Sequence, residues 1–144
     1  MKIYLAGPWA QREFMPTIAA KIEAVGGVIT HKWWDVENTL EGTLEADGIL
    51  RYQAECDYNG VVASQLVVVI NSAKSEGKSL EQGVAVAHGK PIIMVGKRGE
   101  HSQNVFHYMT NYRWLPTVDA AIEAIVTISW LLKREQPTED KDAV

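Results

Sequence analysis

The feature that most constrains the fold is a short apolar run, Leu66–Ile70, followed by a polar loop and a helix-forming segment, Ser72–His88. An apolar run without alternation is typical of a strand buried on both faces of a parallel sheet. Ser79 stands three residues before Gln82, which is the spacing of a capping box at a helix start. The sequence therefore predicts a strand–loop–helix unit with Glu81 in the first helical turn, at the sheet edge where open α/β sheets bind ligands.

Similar units recur along the chain, and Gly or Pro separates them. Leu80, Val84 and Ala87 are predicted to form the inner face of the central helix, and Gly89 to close it. The predicted strands are Lys2–Ala6, Val28–His31, Leu66–Ile70, Pro91–Val95 and Tyr112–Leu115. The other predicted helices are Pro16–Val25 with Phe14, Ile18, Ile22 and Val25 as its stripe, Asp47–Ala63, a short helix at Val105–Thr110, and Val118–Lys133 with Ala121, Ile125, Ile128 and Leu132 inward. This alternation predicts an α/β three-layer sandwich around a five-stranded parallel sheet, with right-handed crossovers and a flavodoxin-like or Rossmann-like strand order.

Composition excludes several classes of protein. A chain of 144 residues fits one domain, here residues 1–136, and the charged segment 137–144 is predicted to be a disordered tail. A net charge of −4 argues against a nucleic-acid polymer as partner, and no apolar run is long enough to span a membrane. Without a signal peptide the expected location is the cytoplasm. A single cysteine, Cys56, excludes an internal disulfide, and the chain has no GxGxxG or HExxH motif, so neither a cofactor nor a metal is expected.

Asp57 occupies an unusual place in the predicted helix Asp47–Ala63. Leu50, Ala54, Asp57 and Val61 fall on one helical face, which puts a carboxylate within an apolar stripe. A buried carboxylate must be paired, hydrogen-bonded or directed at a site, because burying it alone is costly. The alternative is that Asp57 lies at the edge of the stripe and is solvated.

Two adjacent tryptophans, Trp33 and Trp34, lie in Lys32–Ala46, a stretch without clear periodicity that is predicted to be a binding loop or lid. Their rings either stack on a ligand or anchor the loop on the core. The histidines are predicted to be surface or helix-end residues rather than metal ligands; they are His31, His88, His101 and His107.

Glu81 taken alone is an ordinary first-turn glutamate that the helix dipole stabilises. Its context indicates more, because the loop before it contains Ser75, Gly77 and Ser79, which suit an anion or sugar hydroxyls. The same dipole is predicted to keep Glu81 ionised, as a nucleophilic carboxylate requires.

KIYLAGPW at the N-terminus, Asp57, and the segment SEGKSLEQGVAVAHGKPIIMV together resemble the nucleoside 2-deoxyribosyltransferase family, which includes the 2′-deoxynucleoside 5′-monophosphate N-glycosidases. The resemblance covers most of residues 2–95. It implies that Glu81 attacks C1′ of a sugar, that Asp57 protonates the leaving base, and that Tyr4 hydrogen-bonds and orients the nucleophile.

The resemblance also implies a small-molecule nucleoside or nucleotide substrate. Ser75 matches a serine near the 5′-phosphate, whereas Pro8 and Ala10 replace the hydrolases' serine and arginine, for which Arg12 is a loose substitute. A homodimer or higher homo-oligomer is implied, in which a residue of the neighbouring subunit completes the site; Asn104 or a neighbour in the 102–106 loop is the nearest candidate. The expected substrate-binding residues are Gly7, Trp9, Arg12, Trp33, Trp34, Ser75, Gly77, Ser79 and Asn104.

Three questions stay open at this stage: transfer or hydrolysis, nucleoside or monophosphate, and which base. A non-catalytic nucleotide or nucleotide-sugar sensor on the same fold is the alternative function. A signalling receiver domain is disfavoured because its acidic cluster at the strand ends is missing.

Overall fold

The structure, a computed structural model, describes residues 1–36 and 44–136. A five-stranded sheet forms its centre, every pair of neighbouring strands is parallel, and the strand order is β2-β1-β3-β4-β5. The strands are β1 Lys2–Ala6, β2 Val28–Ile29, β3 Leu66–Ile70, β4 Ile92–Val95 and β5 Tyr112–Leu115. The helices are α1 Met15–Ala24, α2 Leu44–Ala63, α3 Glu76–Ala87 and α4 Val118–Glu135, with 3₁₀ turns at Trp9–Phe14, Trp33–Asp35 and Val105–Tyr108. The predicted α/β fold is confirmed, and the order is that of the flavodoxin-like variant.

Strand β3 lies between β1 and β4 and is buried at all five positions, as its unbroken apolar run predicts. Helix α2 contacts α3, and α1 contacts α4, so one pair of helices covers each face of the sheet. The strand order reverses between β1 and β3, where open α/β sheets form their ligand crevice. None of the helices within residues 1–36 and 44–136 is both long and apolar enough to cross a membrane.

Helix α1 is closed by Gly26, which follows the cap residue Val25 with a φ of +87°. Its buried stripe is shifted by one residue, however. Phe14 is exposed, and the neighbouring Met15 is buried instead. The shift arises because the chain is a 3₁₀ turn up to Phe14, and the angular spacing of side chains changes where the α-helix begins.

The N-cap of helix α3 lies four residues earlier than predicted. Ser75 is the N-cap, and its Oγ accepts a hydrogen bond of 3.3 Å from the backbone N–H of Lys78. Ser79 lies inside the helix, where its hydroxyl donates to the carbonyl of Ser75 at 3.3 Å. The predicted capping box of Ser79 and Gln82 is therefore wrong.

The inner face of α3 also differs from the prediction, because Leu80 is 73% exposed whereas Lys78 is buried. The Lys78 ammonium donates two hydrogen bonds of 2.7 Å, one to Asn71 Oδ1 and one to the carbonyl of Ala73. These acceptors offset the cost of burying a charged side chain, so a polar residue occupies the inward position. The buried residues of α3 are Lys78, Gln82 and Ala85.

The predicted loop 32–46 is shorter than expected, since a 3₁₀ turn and the first residues of α2 occupy both ends; its residues 37–43 lie outside the described residues, as does the predicted tail 137–144. Trp33 and Trp34 are buried, with exposed fractions of 6% and 8%. Trp33 Nε1 donates a 2.7 Å hydrogen bond to the carbonyl of Leu5 on β1. The two rings therefore anchor this segment on the core, which is one of the two predicted alternatives.

Helix α4 follows its predicted stripe only at its N-terminal end. Ala121 and Ile125 are buried, whereas Leu132 is exposed. The helix has 18 residues, a length of about 27 Å, whereas β4 and β5 have four residues each, or about 13 Å. Its last turns therefore run past the sheet.

Gly60 lets helix α2 lie directly on the first two strands. A Cβ at this position would be 2.9 Å from His31 Cβ and 3.0 Å from two ring carbons of Tyr4. Thr30 Oγ1 also donates a 2.8 Å hydrogen bond to the carbonyl of Gly60. The absence of a side chain here sets how closely α2 approaches β1.

We predict that Gly60→Ala lowers the free energy of unfolding by about 1–3 kcal/mol, because the added methyl overlaps Tyr4 and His31. Gly48→Ala is the matched control in the same helix, since a Cβ there meets nothing within 4 Å. The control should be stabilising by up to about 1 kcal/mol through helix propensity. Urea unfolding of both variants measures the difference, and equal stabilisation by the two substitutions would show that α2 does not need the close approach.

Candidate active site

A buried hydrogen bond links the first strand to helix α3. Tyr4 on β1 is fully buried, and its hydroxyl donates to Glu81 Oε1 at 2.9 Å. Side chains alternate along a strand, and the pleat of β1 directs Tyr4 to the face covered by α2 and α3. Glu81 is the sixth residue after the cap Ser75 and so lies in the second turn of α3. The predicted first-turn position is wrong because the helix starts earlier.

Asp57 on helix α2 is the second carboxylate of this cluster. It is half-buried, and the Tyr4 hydroxyl interacts with it as well as with Glu81. On its other side, Asp57 Oδ1 is 3.3 Å from His31 Nε2. The four residues form a series, His31–Asp57–Tyr4–Glu81, that leads from a partly exposed imidazole to a buried carboxylate.

The electrostatics of the cluster differ from the prediction for Glu81. The pKa of Glu81 is raised to about 8: burial raises it most, the hydrogen bond from Tyr4 opposes the increase, and the charge of Asp57 adds to it. Burial also raises the pKa of Asp57, whereas His31 and Tyr4 lower it. Glu81 is thus mostly protonated at neutral pH in the free protein. The predicted ionisation by the helix dipole is wrong, because that effect fades beyond the first turn and desolvation is larger.

Tyr4 interacts with both carboxylates but can donate its hydroxyl proton to only one of them at a time. Its pKa is raised by burial and by the neighbouring charges of Glu81 and Asp57, so the phenol keeps its proton. One hydroxyl proton can be donated to one carboxylate at a time. Glu81 Oε2, the oxygen that Tyr4 does not bind, is shielded from water and has no hydrogen-bond partner within the described residues. That oxygen is free to react or to carry the proton.

Three other predicted residues lie in the segment that follows β1. Gly7 is buried, and a Cβ there would lie 2.8 Å from Met15 Sδ, which gives this glycine a packing role. Trp9 is 38% exposed, with the Arg12 guanidinium 4.4 Å from its ring centroid. Arg12 also donates a 3.1 Å hydrogen bond to the carbonyl of Trp9. The arginine therefore folds back on its own turn.

A cleft of about 850 Å³ opens beside the N-terminus of α3 and contains three of the predicted binding residues. Ser79 is two residues from Glu81, about 200° around the helix, so the two side chains project from opposite sides. Asn104 caps the turn that follows it, accepting a 3.0 Å hydrogen bond from the backbone N–H of Phe106. Gly77 lies in the first turn of α3 near Ser75. The cleft is lined by Lys74, Ser75, Glu76, Ser79, Leu80, Gly99, His101, Ser102, Gln103 and Asn104.

The structure therefore divides the predicted site. It brings Tyr4, Asp57 and Glu81 together, places Ser75, Ser79 and Asn104 around the cleft, and buries both tryptophans of the 33–34 pair in the core. Across residues 1–36 and 44–136, no group of three or more His, Cys, Asp or Glu residues is arranged to hold a metal ion.

Sequence reasoning missed two residues of this region, His31 and Gly60, and misplaced His107. His31 was expected at the surface, but it faces Asp57; His107 is buried, with Asn104 Nδ2 3.2 Å from its Nε2. The spacing of Gly60, one helical turn after Asp57, is the signal that could have revealed a close contact beside the carboxylate.

Comparisons with known proteins show a likeness of fold. No family model and no curated protein matches the chain. The solved structures that it resembles include a Clostridium botulinum CMP N-glycosidase, BcmB, with a TM-score of 0.60 and 15% sequence identity. The alignment covers 87% of this chain and 98% of the other. The chain thus has the fold of that protein over nearly its full length.

We predict that Glu81→Gln stabilises the protein increasingly as the pH rises. The folded pKa of about 8 exceeds the ordinary glutamate value of 4.5, so the wild type loses stability as the pH rises between these values, whereas glutamine has no proton to lose. The gain should be under about 0.5 kcal/mol at pH 4.5 and about 4 kcal/mol at pH 8.5. Urea unfolding at both pH values measures it, with the exposed Glu123→Gln as control. A pH-independent difference would contradict the raised pKa.

Proposed function

We propose that the chain is an N-glycosidase that cleaves the bond between the sugar and the base of a (2′-deoxy)nucleoside or its 5′-monophosphate. The observation that carries the proposal is the hydrogen bond of 2.9 Å between Tyr4 and Glu81, with Asp57 beside it. Two carboxylates in unequal environments are the machinery that retaining glycosidases use. The resemblance in sequence and the fold shared with a CMP N-glycosidase support the same chemistry.

In this mechanism Glu81 acts as the nucleophile and Asp57 as the general acid. A carboxylate oxygen of Glu81 forms a bond to C1′ while the bond from C1′ to the base nitrogen breaks through an oxocarbenium-like transition state. Asp57 gives its proton to the departing base. Water or a second base then attacks C1′, its proton passes to Asp57, and Glu81 is released with overall retention.

The reaction requires the proton on Asp57 and the negative charge on Glu81. In the free protein the higher pKa favours the proton on Glu81 instead. The positive charge that develops at C1′ would stabilise ionised Glu81, and the Tyr4 hydroxyl already donates to the carboxylate. The site would therefore reach its reactive charge state only with a sugar in place, which restricts the reactivity of the nucleophile in empty protein.

A 5′-monophosphate is the substrate class that we propose. Ser75 and the N-terminus of α3 offer hydrogen-bond donors to an anion, and Lys74 adds a positive charge beside them. Ser75 and Glu81 are about 9 Å apart along the helix axis, and the Glu81 side chain leans toward the N-terminus. A nucleotide can place its phosphate at the helix start and C1′ at Glu81.

One observation favours the alternative, a non-catalytic nucleotide or nucleotide-sugar sensor. Ser79 and Asn104 line a cleft on the side of α3 away from Glu81, so a ligand there need not reach the carboxylates. This function would give binding without release of a base.

The test incubates the protein with ribo- and 2′-deoxyribonucleoside 5′-monophosphates, CMP and dCMP included, and with the free nucleosides. Each is tried with and without an acceptor base, and free base is measured by chromatography. We expect release from monophosphates, and a loss on the order of 10³-fold or more in Glu81→Gln because the nucleophile is removed. Glu123→Gln should keep full activity. Binding by calorimetry without release would establish the sensor instead.

We predict that the effect of Asp57→Asn depends on the leaving group. A poor leaving group needs the proton, so the rate should fall by about 10²–10⁴-fold with natural bases. With a substrate whose leaving group departs unprotonated, such as a nitrophenolate glycoside, the loss should be under about tenfold. Equal losses for both substrates would contradict the role of Asp57 as general acid.

A further inference from the structure

His31 makes a contact that the proposed chemistry leaves unassigned. Its Nε2 lies 3.3 Å from Asp57 Oδ1, and both atoms are shielded from water. Within the described residues neither atom has a hydrogen-bond partner, so this close approach is the polar contact that each of them makes. Since buried polar atoms are costly when unpaired, each of these two depends on the other.

The backbone around His31 is held in place by neighbouring contacts. Thr30, the preceding residue, donates its hydroxyl to the carbonyl of Gly60 at 2.8 Å. A Cβ on Gly60 would be 2.9 Å from His31 Cβ, so the imidazole begins in direct contact with the α2 backbone. Asp57 lies one turn earlier on the same helix. The imidazole and the carboxylate are thus fixed relative to each other by the junction of β2 and α2.

We propose that His31 is a positioning residue for Asp57: by facing Oδ1 it holds the carboxyl group in the orientation from which its proton reaches the leaving base. The inference rests on the proposed function, because it assigns His31 to the general acid of that reaction. A free aspartate would rotate about its side-chain bonds, and each orientation that misdirects the proton would slow base departure.

The groups that surround Asp57 leave His31 as its basic neighbour among the described residues. Tyr4 from β1 and Glu81 from α3 face Asp57; in the free protein at neutral pH Tyr4 is neutral and Glu81 is mostly neutral. Lys32, the residue after His31, pairs with Glu23 at 3.0 Å instead of with Asp57. Of the described basic groups, His31 is the one that acts on the Asp57 carboxylate. It can donate to the carboxylate when protonated and accept from the acid when neutral.

The experiment measures kcat and KM for base release in His31→Ala, His31→Gln, Asp57→Asn and the double variant His31→Ala/Asp57→Asn. We expect His31→Ala to lower kcat by about 10–100-fold with KM within about threefold, since orientation and not binding is lost. Glutamine can still hydrogen-bond Oδ1 and should restore most of kcat. In the Asp57→Asn background, His31→Ala should have no further effect.

The matched control is His88→Ala, because His88 also joins a helix partner, with Nε2 3.2 Å from the Tyr58 hydroxyl on α2, but lies away from the carboxylates. It should leave kcat unchanged. Additive losses in the double variant, or wild-type kcat in His31→Ala, would overturn the positioning role while the proposed function stands.

A second measurement separates failure of the inference from failure of the proposed function. The urea concentrations at the unfolding midpoint of the same variants form a double-mutant cycle that needs no substrate. If His31 contacts Asp57, the decreases in midpoint of the two single variants should not add up in the double variant. Non-additive midpoints without base release from any substrate would overturn the proposed function and the role of His31 in it. Additive midpoints would overturn the contact itself.

Discussion

The hydrogen bond between Tyr4 and Glu81 joins two elements separated by 77 positions in the chain, and it does so inside the protein. A carboxylate in that place is costly, because it loses hydration on entering the interior. The structure offsets the cost in two ways: a phenol donates to one oxygen, and the pKa rises so that the group is mostly neutral. Tyr4 can be there only because β1 is an inner strand whose side chain is covered by α2 and α3. The position of the candidate site therefore follows from the order of the parallel sheet.

Most of the fold could be predicted from hydrophobic pattern and turn residues. The five apolar strands and the glycine that closes α1 depend on local signals, and all are present. Helix α3 was misplaced because Ser75 and Ser79 are both acceptable caps, and local spacing does not decide between them. The decision comes from Lys78, whose ammonium is satisfied by Asn71 and Ala73 at the end of β3. Such a contact exists only once strand and helix are packed.

The candidate catalytic residues of the site were predicted from the sequence, but the protonation state of Glu81 was not. The proximity of Tyr4, Asp57 and Glu81 followed from resemblance to a family, and the structure shows the contacts. The protonation of Glu81 could not be inferred, because it depends on which helical turn carries the residue and on how deeply it is buried. His31 was missed for a similar reason: its contact with Asp57 spans a crossover between a strand and a helix, and no short motif records it.

Gly60 has a consequence for how this chain can change over generations. Because Gly60 has no side chain, α2 can lie directly against Tyr4 and His31. The same glycine therefore matters both for packing and for the carboxylate cluster. Most surface loops tolerate exchange, and new specificity can arise there at little risk. At Gly60, by contrast, drift toward any larger residue would disturb the core and the carboxylate cluster together. Selection for stability and selection for activity therefore both favour glycine at this position. Loss of one of these pressures would still leave the other acting against replacement.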